Sequence, residues 1–169
     1  EGAVPAVGPK GEVYVVWAGP NGLSFDRSDD GGWTFGKDRV IGNLVGGWDL
    51  PVPGLERHNG MPVTMTDLSG GPNRGSIYVA DGHDAQGMTT ANAVAEGLKR
   101  GATSRISKFS PDGKFVKSWG KIGFRHGEFR TPHALKFDSK GRLWVADRGN
   151  HRIEIFDQNG TYLESRYSF

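Results

Sequence analysis

The sequence contains no cysteine and no long hydrophobic run. Without cysteine, the chain forms no disulfide bond and offers no thiolate to a metal ion. The cysteine content therefore does not indicate whether the protein works in an oxidising or a reducing compartment. No apolar stretch approaches the roughly 18 residues that a membrane-spanning helix requires, so we expect no membrane partner. The first residues, EGAVPAVG, lack the charged and apolar regions of a signal peptide, and the localisation is left unknown.

Neither sign of charge predominates, because the chain has 21 basic and 19 acidic residues and a net charge of +2. Since no long basic run occurs, we do not expect nucleic acid as a partner. What the chain has is 27 Gly, 9 Pro, 5 Trp, 4 Tyr and 9 Phe in 169 residues. That composition is typical of one all-β domain, with many short strands joined by tight turns.

One phrase occurs three times along the chain. It reads GEVYVVWAG at 11–19, GSIYVADG at 75–82 and GRLWVADRG at 141–149. Each copy predicts a buried strand, and each follows another short apolar segment: AVPAV, PVTMTD or PHALKFD. An internal repeat of this kind indicates a repeat architecture, in which each copy is one supersecondary unit.

Two further strands follow each copy and are joined by turns that carry Gly. These turns read DDGGW, SPDG and DQNG, and their Asp-Gly and Asn-Gly steps are strong hairpin signals. Each unit is then a four-stranded antiparallel meander, with bounds of about 2–42, 60–120 and 129–169. Four strands in such a unit are typical of a β-propeller blade. A β-sandwich is the alternative, but sandwiches do not repeat a phrase in this way.

Two insertions interrupt the repeat. The segment 83–104 breaks the second unit, and its part from 90 to 100 is rich in Ala, Leu, Glu and Lys. A Thr before this part and Gly101 after it can cap a short helix, which we predict there. The segment 43–59 joins the first two units, and we interpret it as an ordered loop.

The second and third units resemble NHL repeats, on IYVADGH, RISKFSPDGKFVKSWG and GEFRTPHALKFDSKGRLWVADRGNHRIEIFDQNG. The resemblance covers about 75–160. Within that group, the phrase PHAL followed by VADRGN is similar to six-bladed propellers of the peptidylglycine amidating-lyase type. These families are often secreted or periplasmic.

The first unit instead resembles sialidase-like propellers, because SDDGGWTF is similar to their Asp-box turn. The resemblance implies a structural, BNR-type turn with these members: Ser28, Asp30, Gly32, Thr34 and Phe35. Two styles in one chain are compatible with a natural protein or with a recombined or designed chimera.

Three blades do not close a ring, because propellers have typically four to eight. The remaining sheet edges and apolar faces would pair with other chains. Two copies supply six blades, the common count in the families that the chain resembles. We therefore predict a homodimer that forms one closed six-bladed ring with twofold symmetry. The alternative is a piece of a longer propeller.

Polar residues cluster where strand two of a blade leads into strand three. Arg148, Asn150 and His151 lie there in the third unit, and His83 and Asp84 lie there in the second. In propellers this end rims the central channel. We predict that a small polar ligand binds there, with these contacts: His83, Asp84, His133, Arg148 and His151. We also expect Asp81 and Asp147 to orient the loops that follow them, with Asn150 and Arg152 completing the brace.

The amidating-lyase resemblance implies zinc in the channel, with His133 as a ligand and Arg148 as the catalytic arginine. His83 occupies the place of the catalytic tyrosine, and Val63 stands where the second unit would need a histidine. A catalytic zinc takes about three protein ligands. No cofactor is therefore assigned, with zinc or calcium as candidates. His133, Arg148 and His83 remain the catalytic candidates.

Three functions stay open: an assembly or binding scaffold, a metal-dependent lyase or hydrolase, and an NHL-type module for nucleic acid or protein. We favour the scaffold, because the lyase depends on resemblance at two or three residues. Basic residues for the third function are Lys99, Arg100, Arg105 and Arg125, among nearby acidic ones. Sialidase chemistry is not expected, because no motif brings the arginines of the first unit together.

Overall fold

The computed structural model describes residues 3–42, 61–82 and 104–167. The strands of these ranges form three four-stranded antiparallel sheets, each in simple meander order. The first blade contains β1 (Val4–Val7), β2 (Val13–Gly19), β3 (Gly22–Ser28) and β4 (Arg39–Gly42). The second contains β5 (Val63–Thr66), β6 (Ile77–Gly82), β7 (Ser104–Phe109) and β8 (Phe115–Trp119). The third contains β9 (Pro132–Phe137), β10 (Leu143–Asp147), β11 (Arg152–Phe156) and β12 (Tyr162–Tyr167).

The predicted fold class is confirmed: three four-stranded antiparallel sheets, consistent with half of a propeller. Within the described ranges, helix is limited to a 3₁₀ turn at Arg148–Asn150, and no helix there could span a membrane. The helix predicted at 90–100 and the loop at 43–59 lie outside the described residues. The fourth strand of the first blade is shorter than TFGKDRVI suggests, because the chain stays irregular up to residue 38.

The same tight turn recurs between neighbouring strands. It spans Gly8–Gly11, Ser110–Gly113, Asp138–Gly141 and Asp157–Gly160, and the last amide of each turn donates to the first carbonyl at 2.8–3.1 Å. The closing glycines have φ between 73° and 90°. A side chain is penalised in that left-handed region, which explains why GPKG, SPDG, DSKG and DQNG all end in Gly.

Aspartate side chains hold two of these turns closed. Asp138 accepts hydrogen bonds from the amides of Lys140 and Arg142, each at 2.9 Å. Although partial burial would raise the pKa of Asp138, hydrogen bonds from Arg142 and Trp144 lower it to about 2. Asp157 holds the amides of Asn159 and Thr161 in the same way, each at 2.8 Å.

Blades pack face to face through their second and third strands. The first core lies between blades one and two, the second between blades two and three. Members of the first are Tyr14, Val16, Ala18, Leu23, Phe25, Ile77, Val79 and Phe109. Members of the second are Tyr78, Ala80, Ile106, Phe129, Leu135, Leu143, Val145 and Phe156. Burial of such side chains stabilises the fold by about 1.5–3 kcal/mol each.

A cation crosses each of the two blade junctions. Arg27 lies 5.8 Å from the ring centre of Tyr14 and donates at 3.1 Å to the carbonyl of Pro111 in the next blade. Lys108 lies 5.3 Å from the ring centre of Tyr78 and donates at 3.3 Å to the carbonyl of Gln158. Pro111 and Gln158 occupy the same position of the recurrent turn, so the repeat builds the same contact twice.

Replacing Gly160 tests how strongly the recurrent turn is packed against the preceding blade. An added Cβ at Gly160 would lie 2.5 Å from Trp119, whereas one at Gly11 meets nothing within 4 Å. Both glycines have positive φ, so Gly11→Ala is the matched control. We expect Gly11→Ala to lower the free energy of unfolding by about 1 kcal/mol. Gly160→Ala should lower it by about 1–3 kcal/mol more, because of the steric overlap. Equal losses in urea unfolding would contradict this packing.

Candidate functional site

The predicted rim residues of the third blade lie at one end of its sheet. Asp147, the last residue of β10, pairs with Pro132 at the start of β9. The amide of Arg148 donates at 2.9 Å to the carbonyl of Thr131, which holds the 3₁₀ turn against that start. His133 and Arg148 are both exposed there. The structure thus brings these two candidates to the same end of the blade.

His151 closes the same 3₁₀ turn in a left-handed conformation with φ of 51°, and its side chain is exposed. Its amide donates at 3.1 Å to the carbonyl of Arg148. The first strand of each blade lies beside that of the next, β1 beside β5 and β5 beside β9. The end of the third blade that carries His151 includes the start of β9, so it lies beside this row of first strands. His83 and Asp84, the candidates of the second blade, lie outside the described residues.

A β-bulge places His133. The register pairs Ala134 with Ala146 and Pro132 with Asp147, so two residues of β9 face the last step of β10. In the second blade Val63 pairs with Ala80, which is the position that Ala146 occupies in the repeat. Ala134 is therefore the counterpart of Val63, and His133 has none in β5. Alignment of the two sequences had placed Val63 opposite the histidine, because a bulge is not visible in a sequence.

The described residues of one chain do not by themselves form the zinc site that the amidating-lyase resemblance implies. Across residues 3–42, 61–82 and 104–167, no group of three or more His, Cys, Asp or Glu side chains could hold a metal ion. A set of about three protein ligands would have to include other copies or other segments.

A buried ionic cluster holds the rim in place. One oxygen of Asp147 accepts the amides of Arg130 and Thr131 at 2.9 and 3.1 Å. The other oxygen accepts Asn150 at 2.6 Å and Arg152 at 3.2 Å. The predicted brace of Asn150 and Arg152 is thus confirmed. The prediction that Asp147 orients the loop after it is wrong for the backbone amides, because those it binds belong to the segment before β9.

Arg152 connects this cluster to the linker between blades two and three. Its guanidinium donates to the carbonyls of Phe124, Arg125 and Glu128 at 2.9, 2.8 and 2.5 Å. Burial lowers the pKa of Arg152, but its contacts with Tyr167, Glu154 and Asp147 raise it overall. The guanidinium therefore stays charged although its side chain is only 2% exposed.

Glu154, which sequence reasoning missed, is the second acid of the cluster. It lies 3.4 Å from Arg152 and accepts the amide of Gly127 at 3.1 Å. Burial raises the pKa of Glu154, although Arg152 and that amide oppose the rise. His126 of the linker stacks on Tyr162 with ring centres 4.6 Å apart and lies 3.6 Å from Glu154. The signal in the sequence was the glutamate between the two isoleucines of the strand RIEIF, because a buried charge requires partners.

The turn Ser28–Thr34 is a self-contained hydrogen-bond network. Ser28 Oγ donates to Asp30 at 2.7 Å and accepts the amide of Gly32 at 2.8 Å. Asp30 accepts the amides of Trp33 and Thr34 at 3.0 and 2.9 Å, and the Thr34 hydroxyl at 2.5 Å. Hydrogen bonds from Thr34 and Ser28 lower the pKa of Asp30 well below its ordinary value. The side chain of Phe35 is exposed, and each of these hydrogen bonds joins two residues of the turn itself.

Two blade faces lack a neighbour in the described chain. On the third blade an apolar groove of about 240 Å³ is lined by Ala134, Leu135, Lys136, Phe137, Asp138, Trp144, Ala146 and Ile153. We call this the third-blade groove. On the first blade Val13, Val15 and Trp17 are half-buried on the side away from the first core, which we call the first-blade face.

The pairing registers show what these faces are. Trp144, Ala146 and Ile153 occupy the positions that Tyr78, Ala80 and Ile106 hold in the second blade. Val13 and Val15 occupy the positions of Ile77 and Val79. The counterparts in the second blade are all fully buried at a junction. Both faces are therefore junction surfaces of the repeat that the described chain does not cover.

Comparison with known proteins agrees with this architecture. The NHL repeat pattern matches residues 129–156, which comprise most of the third blade. The matches and the fold support an NHL-type β-propeller.

The chain is 32% identical to peptidyl-glycine alpha-amidating monooxygenase A of Xenopus laevis, over 86% of its own length and 15% of the relative's. It is 39% identical to NHL repeat-containing protein 3 of Mus musculus, over 88% of its own length and 49% of the relative's. It is also 37% identical to protein lin-41 of Caenorhabditis elegans, over 60% and 9%. The chain thus spans about half or less of these relatives.

Arg152 is the side chain whose loss should damage the rim most. Arg152→Met leaves Asp147 and Glu154 buried without their cation, and we expect the free energy of unfolding to fall by about 3–5 kcal/mol. Lys121→Met is the control, because Lys121 pairs with Glu128 at 3.3 Å but is 71% exposed. Exposed pairs contribute about 0–1 kcal/mol. Losses of the same size in denaturant unfolding would show that Arg152 does not organise the rim.

Proposed function

We propose that the chain is half of a six-bladed NHL-type propeller, and that two copies close the ring and act as a binding scaffold. The observation that carries this proposal is the equivalence between the uncovered faces and the buried junctions. The third-blade groove and the first-blade face are the two sides of one such junction. In a twofold ring, the groove of each copy receives the first-blade face of the other, so both faces are covered at once.

Side-chain sizes on the two faces support a second copy as the occupant. Trp144 replaces the smaller Tyr78, while Ser28 of the first blade replaces Phe109 and Phe156 at the facing position. A larger side chain on one side thus meets a smaller one on the other.

The ring would carry its ligand at the rim. His133, Arg148 and His151 are exposed at one end of the third blade, and the buried cluster of Asp147, Arg152 and Glu154 holds that end rigid. Two copies would bring two such sets to one channel. A small polar or anionic ligand fits these side chains, because they offer a guanidinium and two imidazoles.

We also propose that Ser28–Phe35 is an Asp-box turn of the sialidase-like type. The hydrogen bonds among Ser28, Asp30, Gly32 and Thr34 support this, since they tie the turn to itself. A chimeric origin is not needed for it, because single relatives align with 86% and 88% of the chain.

Light scattering after size-exclusion chromatography tests the ring. We expect a mass of twice the 18.3 kDa of one chain. Val15→Glu and Trp144→Glu should each raise the dissociation constant of the dimer by about a hundredfold or more, because each buries an unpaired charge. Val116→Glu is the control, since Val116 is 52% exposed and lies on β8, an edge strand of the second blade that belongs to neither face. A monomer at all concentrations would overturn the proposal and would favour further blades of one longer chain as the cover.

A metal-dependent lyase or hydrolase is the second candidate, and the similarity to the frog amidating monooxygenase favours it. His133 would hold the metal together with its copy across the channel, and Arg148 would bind an anionic substrate group. We expect purified dimer to contain zinc that His133→Ala loses and that His151→Ala keeps, as measured by elemental analysis, because an imidazole ligates zinc. Metal content that is independent of His133 would remove this candidate.

A further inference from the structure

The segment that leads from β8 into β9 makes a tight turn over the third blade. We call residues 125–128 the linker turn, which the amide of Glu128 closes by donating to the carbonyl of Arg125 at 3.1 Å. Besides the contacts of Arg152 described above, Glu154 accepts the amide of Gly127 with both carboxylate oxygens, at 3.3 and 3.1 Å. The linker turn thus lies on two buried charged side chains of β11.

His126 is the residue of the linker turn whose side chain approaches Glu154. Its Nδ1 lies 3.6 Å from Oε1 of Glu154 and 3.1 Å from Oγ of Ser165, and the same Oγ lies 3.4 Å from Oε1. The ring of His126 stacks on Tyr162 with 23° between the planes. The imidazole is 56% exposed, whereas the side chain of Glu154 is fully buried. A proton from solvent therefore reaches this pair through His126.

The buried charges beneath the linker turn do not balance near neutral pH. Asp147 and Glu154 are fully buried and Arg152 is 2% exposed, so two carboxylates surround one guanidinium. A buried net charge is unfavourable, because little water is present to solvate it. The charged neighbours of Glu154 are Arg152, Asp147 and His126, and of these His126 is the base that can gain a proton.

The other charged groups of the linker turn and of β12 are bound elsewhere or face solvent. Glu128 pairs with Lys121 at 3.3 Å, and Glu164 pairs with Arg166 at 2.8 Å. Arg125 is exposed. The tyrosines of β12 carry no charge near neutral pH. Protonation of His126 is therefore the change that balances the buried cluster.

We propose that His126 and Glu154 form an acid-strengthened latch, which holds the linker turn on the third blade more firmly as the pH falls below neutrality. A proton at Nδ1 of His126 turns the 3.6 Å contact into an ion pair and brings the net charge of the cluster to zero. The inference goes beyond the ring and does not depend on it, because every contact of the latch lies within one chain.

The sign of the pH effect follows from the buried carboxylate. Burial raises the pKa of Glu154, so the folded pair binds a proton at a higher pH than a solvated glutamate does. Arg152 and the Gly127 amide oppose the rise and favour the ionised carboxylate, which leaves the proton on His126. A raised pKa contributes stability that is present at low pH and is lost as the pH rises through the folded value. The latch therefore weakens toward alkaline pH.

The latch acts on the rim through the start of β9. Arg130 and Thr131 follow the linker turn directly, and their amides bind Asp147 at 2.9 and 3.1 Å. The carbonyl of Thr131 then accepts the amide of Arg148 at 2.9 Å. A firmly held linker turn thus steadies the turn that carries Arg148 and His151. A ligand at this end of the blade would bind more tightly at acid pH.

Amide exchange measured by NMR on the wild-type chain tests the latch. The reporter is the Gly127 amide, and the control is the Gly160 amide, which donates at 3.1 Å to a backbone carbonyl of the same blade. Rates are corrected for the intrinsic pH dependence of amide exchange. From about pH 8 to about pH 5 we expect the protection of Gly127 to rise about tenfold, the factor of one charge-assisted hydrogen bond. The Arg148 amide should follow Gly127, and Gly160 should not change.

Matched variants locate the proton. His126→Asn keeps a polar atom near the Nδ1 position and cannot titrate, so the pH dependence of Gly127 protection should disappear. His151→Asn is the control, because His151 is exposed and Asn tolerates its φ of 51°. The pH dependence should persist there. Glu154→Gln removes the buried charge with little change of shape and should also abolish the pH dependence.

Each outcome decides for or against the latch. Gly127 protection that stays constant toward acid pH contradicts it, and protection that falls places the proton on Glu154 instead of His126. A pH dependence that survives in His126→Asn also contradicts it. If Gly127 responds and Arg148 does not, the effect on the rim is overturned. If Glu154→Gln does not fold, as judged by circular dichroism, the two histidine variants decide.

Discussion

Burial of one blade face against the next is the interaction on which the structure depends. A four-stranded sheet of this size has apolar side chains on both faces, and a single sheet cannot bury them alone. Tyr14, Val16 and Phe25 find their cover in Ile77 and Val79 of the next blade. The second junction repeats this arrangement with Tyr78 and Leu143 among its members. The same requirement remains unmet at the two outer faces, which is why they dominate the proposed function.

The rim depends on the same packing through a second layer of polar contacts. Asp147 and Arg152 lie at the end of β10 and the start of β11, where the apolar core stops and the chain must turn. Their buried charges bind the amides and carbonyls of the linker that enters the third blade. The loop that carries Arg148 and His151 is thus fixed by buried groups. A rigid support of this kind is what a binding site needs.

The two internal junctions and the outer face of the third blade differ in their polar contacts. Inside the chain, a cation, an aromatic ring and a turn carbonyl meet because the repeat places them in register in neighbouring blades. At the outer face of the third blade, Ile155 and Trp144 break that pattern, and Arg142 is bound to acids of its own sheet. The same face departs from the repeat at Lys136 as well, which holds the place of Met65 in the second blade.

Much of the fold was accessible from the sequence alone. Period-two apolar runs and turns that end in Gly depend on local backbone preferences, so the meander of four strands could be predicted for each repeat. The repeat itself predicted that blades stack. The sequence also located Asn150 and Arg152 in a brace, because paired polar residues beside a buried strand need partners. Only the tertiary structure decided the contacts between segments distant in the chain. It revealed the bulge that sets His133 apart from Val63, the binding of the preceding linker by Asp147, and the place of Glu154 in the cluster. These depend on strand register and on packing across blades, which no local pattern in the chain encodes.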